Sequence, residues 1–282
     1  MSELQAITEV FQNQPCLRLR HDCGDSVLVA LHGAHIVSWT SGGVERLYLS
    51  PDAVFDGHAA IRGGVPICFP QFNMRGTLPK HGFARTTGWT ASGSGAGWLE
   101  LQLHSSPATL ALWPHAFSAT LRIDLAPGAL ELGFTVHNTG EQPLDFALAL
   151  HTYLRVQDLP GLDLRGLAGQ PYWDDVAQTE RLETDVVIFE GEVDRVYQAA
   201  TAPLTLVDGP VQLRIDQSPE LAETVVWNPG PTKCAAIADM PFDGFKHMVC
   251  VEAAQVNTPV TLAAGAEWTG WQRLIIDIPV ED

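Results

Sequence analysis

Apolar and polar residues alternate with a period of two over much of this chain. From Gly97 to His104, Leu99, Leu101 and Leu103 stand opposite Glu100, Gln102 and His104. Ala119 to Leu125 sets Leu121, Ile123 and Leu125 against Arg122 and Asp124, and Ala129 to His137 repeats the pattern with Leu130, Leu132, Phe134 and Val136. Side chains alternate between the two faces of a strand, so these segments predict half-buried β-strands. Pro127-Gly128 and Asn138-Thr139-Gly140 separate them as turns. Further strands are expected at Cys16 to Arg20, Ser26 to Leu31, Phe146 to Val156, Asp185 to Phe189, Pro203 to Val207, Val211 to Ile215, Thr224 to Trp227, Met248 to Ala254 and Trp268 to Ile278. Leu4 to Phe11 reads as a helix, with Leu4, Ile7 and Phe11 on one face. Asp158 to Asp175 is less regular and reads as connections over a sheet. The prediction is an all-β fold, a large antiparallel β-sandwich or barrel. No internal repeat or linker-like stretch interrupts it, so residues 1–282 are expected to form a single domain.

Composition narrows the partners. The chain is 46% hydrophobic and 17% charged, enough apolar material for a large core. Its formal net charge of −17, with no broad basic face, disfavours nucleic acid. No apolar run approaches the roughly 20 residues of a membrane helix. Residues 1–15 have neither a basic flank nor an apolar stretch, so no signal peptide is expected. Cys16, Cys23, Cys68, Cys234 and Cys250 form no CxxC pair, and their odd number and scatter fit a reducing cytoplasm.

Charge is distributed unevenly. Gly57 to Leu99 contains no Asp or Glu, although the chain has 33 of them. That segment carries Arg62, Arg75, Lys80, His81 and Arg85 among Gly63, Gly64, Pro66, Pro70 and Pro79. A stiff basic island in an acidic protein suggests an anionic small molecule, because Arg forks match carboxylate or phosphate oxygens two at a time. A solvated basic surface is the simpler alternative.

Three acid/base candidates stand out. His151 lies in "DFALALHTYLRV", where Ala147, Ala149, His151 and Tyr153 share one strand face. Small residues before the His leave room in front of its ring, as a ligand face requires; a histidine hydrogen-bonded in the core is the alternative. Glu252 lies in "HMVCVEAAQV" on the face of Met248 and Cys250. Partial burial would raise its pKa toward that of a general base, whereas a salt bridge, for instance to Lys246, would make it structural. Asp194 in "GEVDRVYQ" reads either as a site carboxylate or as an exposed turn residue. The chain has no P-loop, dinucleotide glycine fingerprint, HExxH or GxSxG. His58, His81 and Glu252 could form a cupin-like metal site only if the fold joined them. Cys68 reads as a small core residue.

Six segments, "IRGGVPICFPQF", "LPKHGFAR", "ALHTYLRV", "VDRVYQ", "VVWNPG" and "FKHMVCVEAAQV", follow one another in an order that resembles the hexose-6-phosphate mutarotases (glucose-6-phosphate 1-epimerases) of the aldose 1-epimerase superfamily. The resemblance runs from about Ser26 to Ile278. It implies a galactose mutarotase-like β-supersandwich, no cofactor, a usually monomeric enzyme and a small phosphorylated sugar as substrate. It implies that His151 protonates the ring oxygen and that Glu252 takes the proton of the anomeric hydroxyl. It further implies that Arg62 and Arg85 bind the sugar and its phosphate, and that Lys80, His81 and Asp194 contact the substrate. The chain departs from the pattern at Asn73, where a Gly commonly follows "PQF", in the short stretch Asn73 to Lys80, and at Gly230, where a large residue often follows "NP".

Overall fold

A computed structural model describes residues 6–198 and 202–277. Its architecture is mostly β, and every ladder between its strands is antiparallel. Three sheets share one core. An N-terminal sheet runs from Ile7–Phe11 through Gln14–Arg20, Ser26–Ala30 and His35–Ser41 to Val44–Glu45. A second, eight-stranded sheet has Trp98–His104, Phe117–Ala126, Ala129–Asn138 and Glu267–Asp277 side by side near one end. The third places Val193–Gln198, Glu223–Asn228, Met248–Leu262 and Leu144–Leu150 next to one another in that order, with Tyr153–Arg155 also paired to Met248–Leu262.

The period-two segments form strands with the expected faces. Leu99, Leu101, Leu121, Ile123, Leu132 and Phe134 are all buried, and Leu132 stands opposite Ile123 across the ladder. Each such side chain contributes roughly 1.5–3 kcal/mol by leaving water. Phe69 joins the sheets: its ring meets those of Phe83, Trp113, Phe117, Phe134 and Phe146 at centroid distances of 5.4–6.4 Å. The basic island is thereby pinned to the core through "CFPQF".

The N-terminal helix is overturned. Ile7–Phe11 is a strand paired with Gln14–Arg20, while Leu4 lies outside the described residues. Gln12 and Asn13 at φ 49° and 61° supply the left-handed turn of a two-residue hairpin. β-branched Ile7, Thr8 and Val10 suit a strand better than a helix. Asp185–Phe189 is a loop rather than a strand, with Val187 buried and Ile188 exposed. Phe146–Val156 is broken at His151 and Thr152 into Leu144–Leu150 and Tyr153–Arg155. The irregular stretch 158–175 contains the short strands Leu162–Arg165 and Pro171–Asp174. Ile278 lies outside the described residues. Among the described residues no helix is long and apolar enough to cross a membrane.

The third sheet has two usefully different faces. Phe146, Leu148, Leu150, Val249, Val251 and Ala253 point into the shared core. Ala147 and Ala149 pack on the opposite side with Cys68, Val225, Ala254 and Phe72. That opposite face carries the chemistry.

Candidate active site

Sheet register brings the candidate residues into two adjacent rows. Asp194 pairs with Trp227, Trp227 with Cys250, and Cys250 with Tyr153. In the next row Val196 pairs with Val225, and Val225 with Glu252. Directly opposed residues on antiparallel strands project to the same side, so Asp194, Trp227, Tyr153 and Glu252 form one floor. His151 joins them where the strand breaks, its backbone N–H donating to Pro66 O at 3.0 Å. The 61–83 segment and the short helix Gly230–Cys234 build the rim. The resulting cleft is lined by Arg62, Phe72, Asn73, Lys80, His81, His151, Tyr153, Asp194, Val225, Trp227, Lys233 and Glu252, around about 480 Å³ of open space.

At its centre His151 Nδ1 lies 3.3 Å from Glu252 Oε1. The distance is within ion-pair reach, but the atoms are not aligned for a hydrogen bond. Nδ1 and both carboxylate oxygens are buried without a protein partner. The His151 ring stacks on Tyr153 (4.8 Å, 12°) and meets Trp227 and His81 edge-on at 5.9 and 5.6 Å. Burial, with Asp194 adding to it, pushes the Glu252 carboxyl well above its ordinary range. Burial, then Arg85, Arg62 and Lys80, pushes the His151 imidazole well below its own. Both shifts favour the uncharged forms. Glu252 makes no salt bridge with Lys246, which is exposed.

Arg62 reaches the cleft from a loop that only glycine permits. Gly63 and Gly64 have φ of 101° and 61°, and a Cβ there would lie 2.3 Å from Tyr48 O and 2.1 Å from Ile36 O. Fully buried His35 donates from Nε2 to Gly63 O at 2.8 Å beneath the loop. Arg62 Nε donates to Asp239 Oδ1 (3.1 Å) and Nη1 to Tyr153 Oη (3.2 Å). Burial works against the guanidinium charge; Tyr153 and Asp239 more than reverse it.

His81 is set by its backbone. It has φ 64° and Asn73 has φ 47°, and the two residues exchange bonds: His81 N–H to Asn73 O (3.0 Å) and Asn73 N–H to His81 Nδ1 (3.2 Å). The left-handed conformation at 73 explains the glycine usual there, since Asn is the side chain that tolerates it best. Burial, then His151, keeps His81 neutral. With Nδ1 accepting, its proton sits on Nε2, available to an oxygen in the cleft. Burial, with Asp175 and Glu192 adding to it, lifts the Asp194 carboxyl to about 6; it is a strand residue, not part of a turn. Burial, with Lys233, Arg85 and Arg62, lowers the Lys80 ammonium.

Of the sequence candidates, the cleft thus collects His151, Glu252, Arg62, Lys80, His81 and Asp194. Arg85 is not among the residues lining the cleft; its Nη2 donates to Lys80 O at 2.9 Å, and its charge acts on His151. Arg75 turns outward to Asp175 and Asn257. The cupin-like set does not assemble: His58 is exposed and is not among the residues lining the cleft. Lys233, Trp227 and Asp239 escaped the sequence reading. Lys233 projects from the helix after "WNP" and bonds Glu192. Gly230 at φ 60° allows this, because a Cβ there would fall 2.4 Å from the Gly191 carbonyl carbon. Only Tyr153, on the face of His151, left a periodicity signal.

The arrangement can move a proton between two neighbouring oxygens of a polar ligand whose other end is anionic. Comparison with known proteins bears on what that ligand is. A family model described as aldose 1-epimerase matches residues 15–274. A protein of Cenchrus ciliaris provisionally named glucose-6-phosphate 1-epimerase is 36% identical over 86% of this chain and 78% of its own. One of the same provisional name from Escherichia coli K12 is 35% identical over 81% of this chain and 79% of its own. The crystal structure of a provisionally assigned mutarotase from Salmonella typhimurium superposes with a TM-score of 0.89 at 29% identity, covering 97% of this chain and 94% of that one. The family model's match over residues 15–274, together with these relatives, establishes that the chain belongs to the aldose 1-epimerase family.

Proposed function

We propose that the protein interconverts the α and β anomers of an aldohexose 6-phosphate, glucose 6-phosphate foremost, with Glu252 and His151 as the acid/base pair. The observation that carries this reading is the 3.3 Å approach of His151 Nδ1 to a partnerless buried carboxylate at the bottom of a cleft rimmed by Arg62, Lys80 and Lys233. The provisional names of the relatives point to the same substrate.

The chemistry follows from one shared proton. Burial favours neutral His151 beside protonated Glu252. The ion pair, imidazolium beside carboxylate, holds the same number of protons, and transfer within the pair interconverts the two. From the ion pair, the Glu252 carboxylate takes the proton of the anomeric hydroxyl and the His151 imidazolium donates to the ring oxygen. The bond from C1 to the ring oxygen breaks and C1 becomes an aldehyde. The pair is now neutral, the state its surroundings favour. Rotation about C1–C2 presents the other carbonyl face. On closure His151 removes the proton of the C5 hydroxyl as its oxygen attacks C1, and Glu252 returns its proton to the aldehyde oxygen. No proton is exchanged with solvent, and each group serves once as acid and once as base.

The cations hold the far end of the sugar. Arg62 and Lys233 already have carboxylate partners, Asp239 and Glu192. Lys80 makes no ion pair or side-chain hydrogen bond among the described residues, so its ammonium is the most available to a phosphate. Asp194 and the Nε2–H of His81 supply an acceptor and a donor for sugar hydroxyls. Anchoring the phosphate fixes C1 over the pair, which is the contribution of positioning. The test is saturation-transfer NMR of anomer exchange on glucose 6-phosphate and on glucose, with His151→Ala as control. Fast exchange on the phosphate that the variant loses is the expected result; no acceleration by the wild-type protein on either sugar overturns the reading.

A further inference from the structure

Cys250 has no part in the proton transfers above, yet its thiol is fully buried beside the pair. It precedes Glu252 by two residues on the same strand face and lies across the ladder from Tyr153. One imidazole nitrogen of His151, Sγ of Cys250 and one carboxylate oxygen of Glu252 all lie within 4.8 Å of one another. His151 is 8% exposed and Glu252 1%, and Nδ1, Oε1 and Oε2 have no hydrogen-bond partner. Three buried donors, two of them with unpartnered atoms, therefore converge on one point.

We propose that His151, Cys250 and Glu252 form a binding site for Zn²⁺, and that zinc bound there blocks the acid/base pair. Nitrogen, sulfur and oxygen donors at this spacing suit zinc, whose bonds of about 2.0–2.3 Å put tetrahedral ligands roughly 3.3–3.7 Å apart. The widest gap must close by about 1 Å, within reach of side-chain rotation. Mg²⁺ and Ca²⁺ require six or more oxygens and are excluded by the donor set. The fourth position is left for water. Arg62, Lys80 and Arg85 around the pair would oppose an added positive charge. Zinc adds none: it displaces one proton from the thiol and one from the carboxyl, so the loaded cluster is as neutral as the protonated one. Two of the nearby cations are also already matched, Arg62 by Asp239 and Lys233 by Glu192. Metal binding is a property of the three side chains alone; only its effect on rate rests on the proposed acid/base roles.

Co²⁺ is the probe, because thiolate ligation gives a near-ultraviolet charge-transfer band. Titration of the full chain is expected to develop that band at one equivalent, Zn²⁺ to remove it, and Zn²⁺ to inhibit anomer exchange. Cys250→Ala is expected to lose the band and to weaken zinc inhibition about tenfold or more while keeping its metal-free rate. Cys250→Ser, closer in size, serves if the alanine variant folds poorly. Cys23→Ala removes the exposed thiol near His21 and should change nothing. A band that survives in Cys250→Ala, or equal zinc inhibition of both proteins, overturns the site. Glucose 6-phosphate should suppress the band. A Cys250-dependent band indifferent to the sugar phosphate would leave the metal site standing and overturn the substrate reading instead.

Discussion

Lys233 and Glu192 give the sharpest test of how the cleft recognises phosphate, because the two variants should move in opposite directions. The Lys233 ammonium bonds Glu192 Oε1 at the rim, with side-chain exposures of 42% and 26%. In a setting this wet, a unit charge 4 Å away is worth about 1 kcal/mol, and an exposed pair nets about 0–1 kcal/mol. A phosphate monoester carries about 1.5–2 negative charges. Replacing Lys233 by Met should therefore cost the bound phosphate about 1.5–2 kcal/mol, a rise in KM for glucose 6-phosphate of roughly 10- to 30-fold. Glu192→Gln removes the carboxylate that competes for Lys233 and repels the substrate. It should lower that KM by roughly two- to fivefold, or about 0.5–1 kcal/mol. The readout is KM by exchange NMR on glucose 6-phosphate relative to glucose. Added salt should shrink both effects by screening. The alternative is that the pair only builds the wall, since Gly230 already packs on Gly191 beside it. In that case both variants would raise KM, and on both sugars alike. That result would refute the reasoning.

His151→Ala and Glu252→Gln should each reduce kcat by roughly 10²–10⁴-fold with the far-ultraviolet dichroism intact; near-full activity in either would remove it from the pair. Arg62→Ala should lower both kcat and phosphate affinity, because Arg62 also holds the hydroxyl of Tyr153, on which His151 stacks; a pure KM effect in steady-state kinetics would separate the two roles. Asp194→Asn should stabilise the fold near pH 7, by at most about 3 kcal/mol, while weakening sugar binding. Its carboxyl is lifted to about 6 in the fold, so the folded state binds the proton more tightly than the unfolded one. Wild-type stability from this group is thus full below pH 4 and is lost as pH rises through 6. Denaturant curves of the two proteins should converge near pH 4, and a constant gap between pH 4 and 8 would contradict the assignment.

How much of this was legible depended on whether periodicity or loop geometry decides a residue's place. Leu130, Leu132, Phe134 and Val136 were readable because one face of their strand meets the core and the other is half exposed. The same parity put Tyr153 with His151, and Glu252 with Cys250. It could not show that the two strands are neighbours, which the pairing of Leu150 with Ala253 settles. At the N-terminus Leu4, Ile7 and Phe11 have helical spacing, but a left-handed Gln12–Asn13 turn made the segment a hairpin. The acid-free segment located the rim without orienting it. Arg62, Lys80 and His81 face the cleft, while Arg75 and Arg85 are drawn to Asp175 and to the Lys80 carbonyl. Lys233 sits on a short helix and Glu192 and Asp239 on connections, and no alternation records the direction of any of them.

Burial of Glu252 argues for function in its own right. At 1% exposure between Cys250 and Ala254, an apolar side chain would gain roughly 1.5–3 kcal/mol. The carboxyl instead loses its hydration and receives no protein hydrogen bond in return. Its neighbour His151 gives up hydration too, with Nδ1 left without a partner. A structural ion pair would be expected to satisfy the remaining lone pairs of its carboxylate, as Glu183 does with Arg195 and Tyr197 in the same protein. The Glu252 oxygens await hydrogen bonds that the chain does not supply. A hemiacetal supplies two oxygens on one carbon, one bearing a proton to give and one able to accept. The instability of the empty pair is therefore relieved by the substrate that its proton inventory fits, and Glu252→Gln should raise the melting temperature near neutral pH even as it removes most of the turnover.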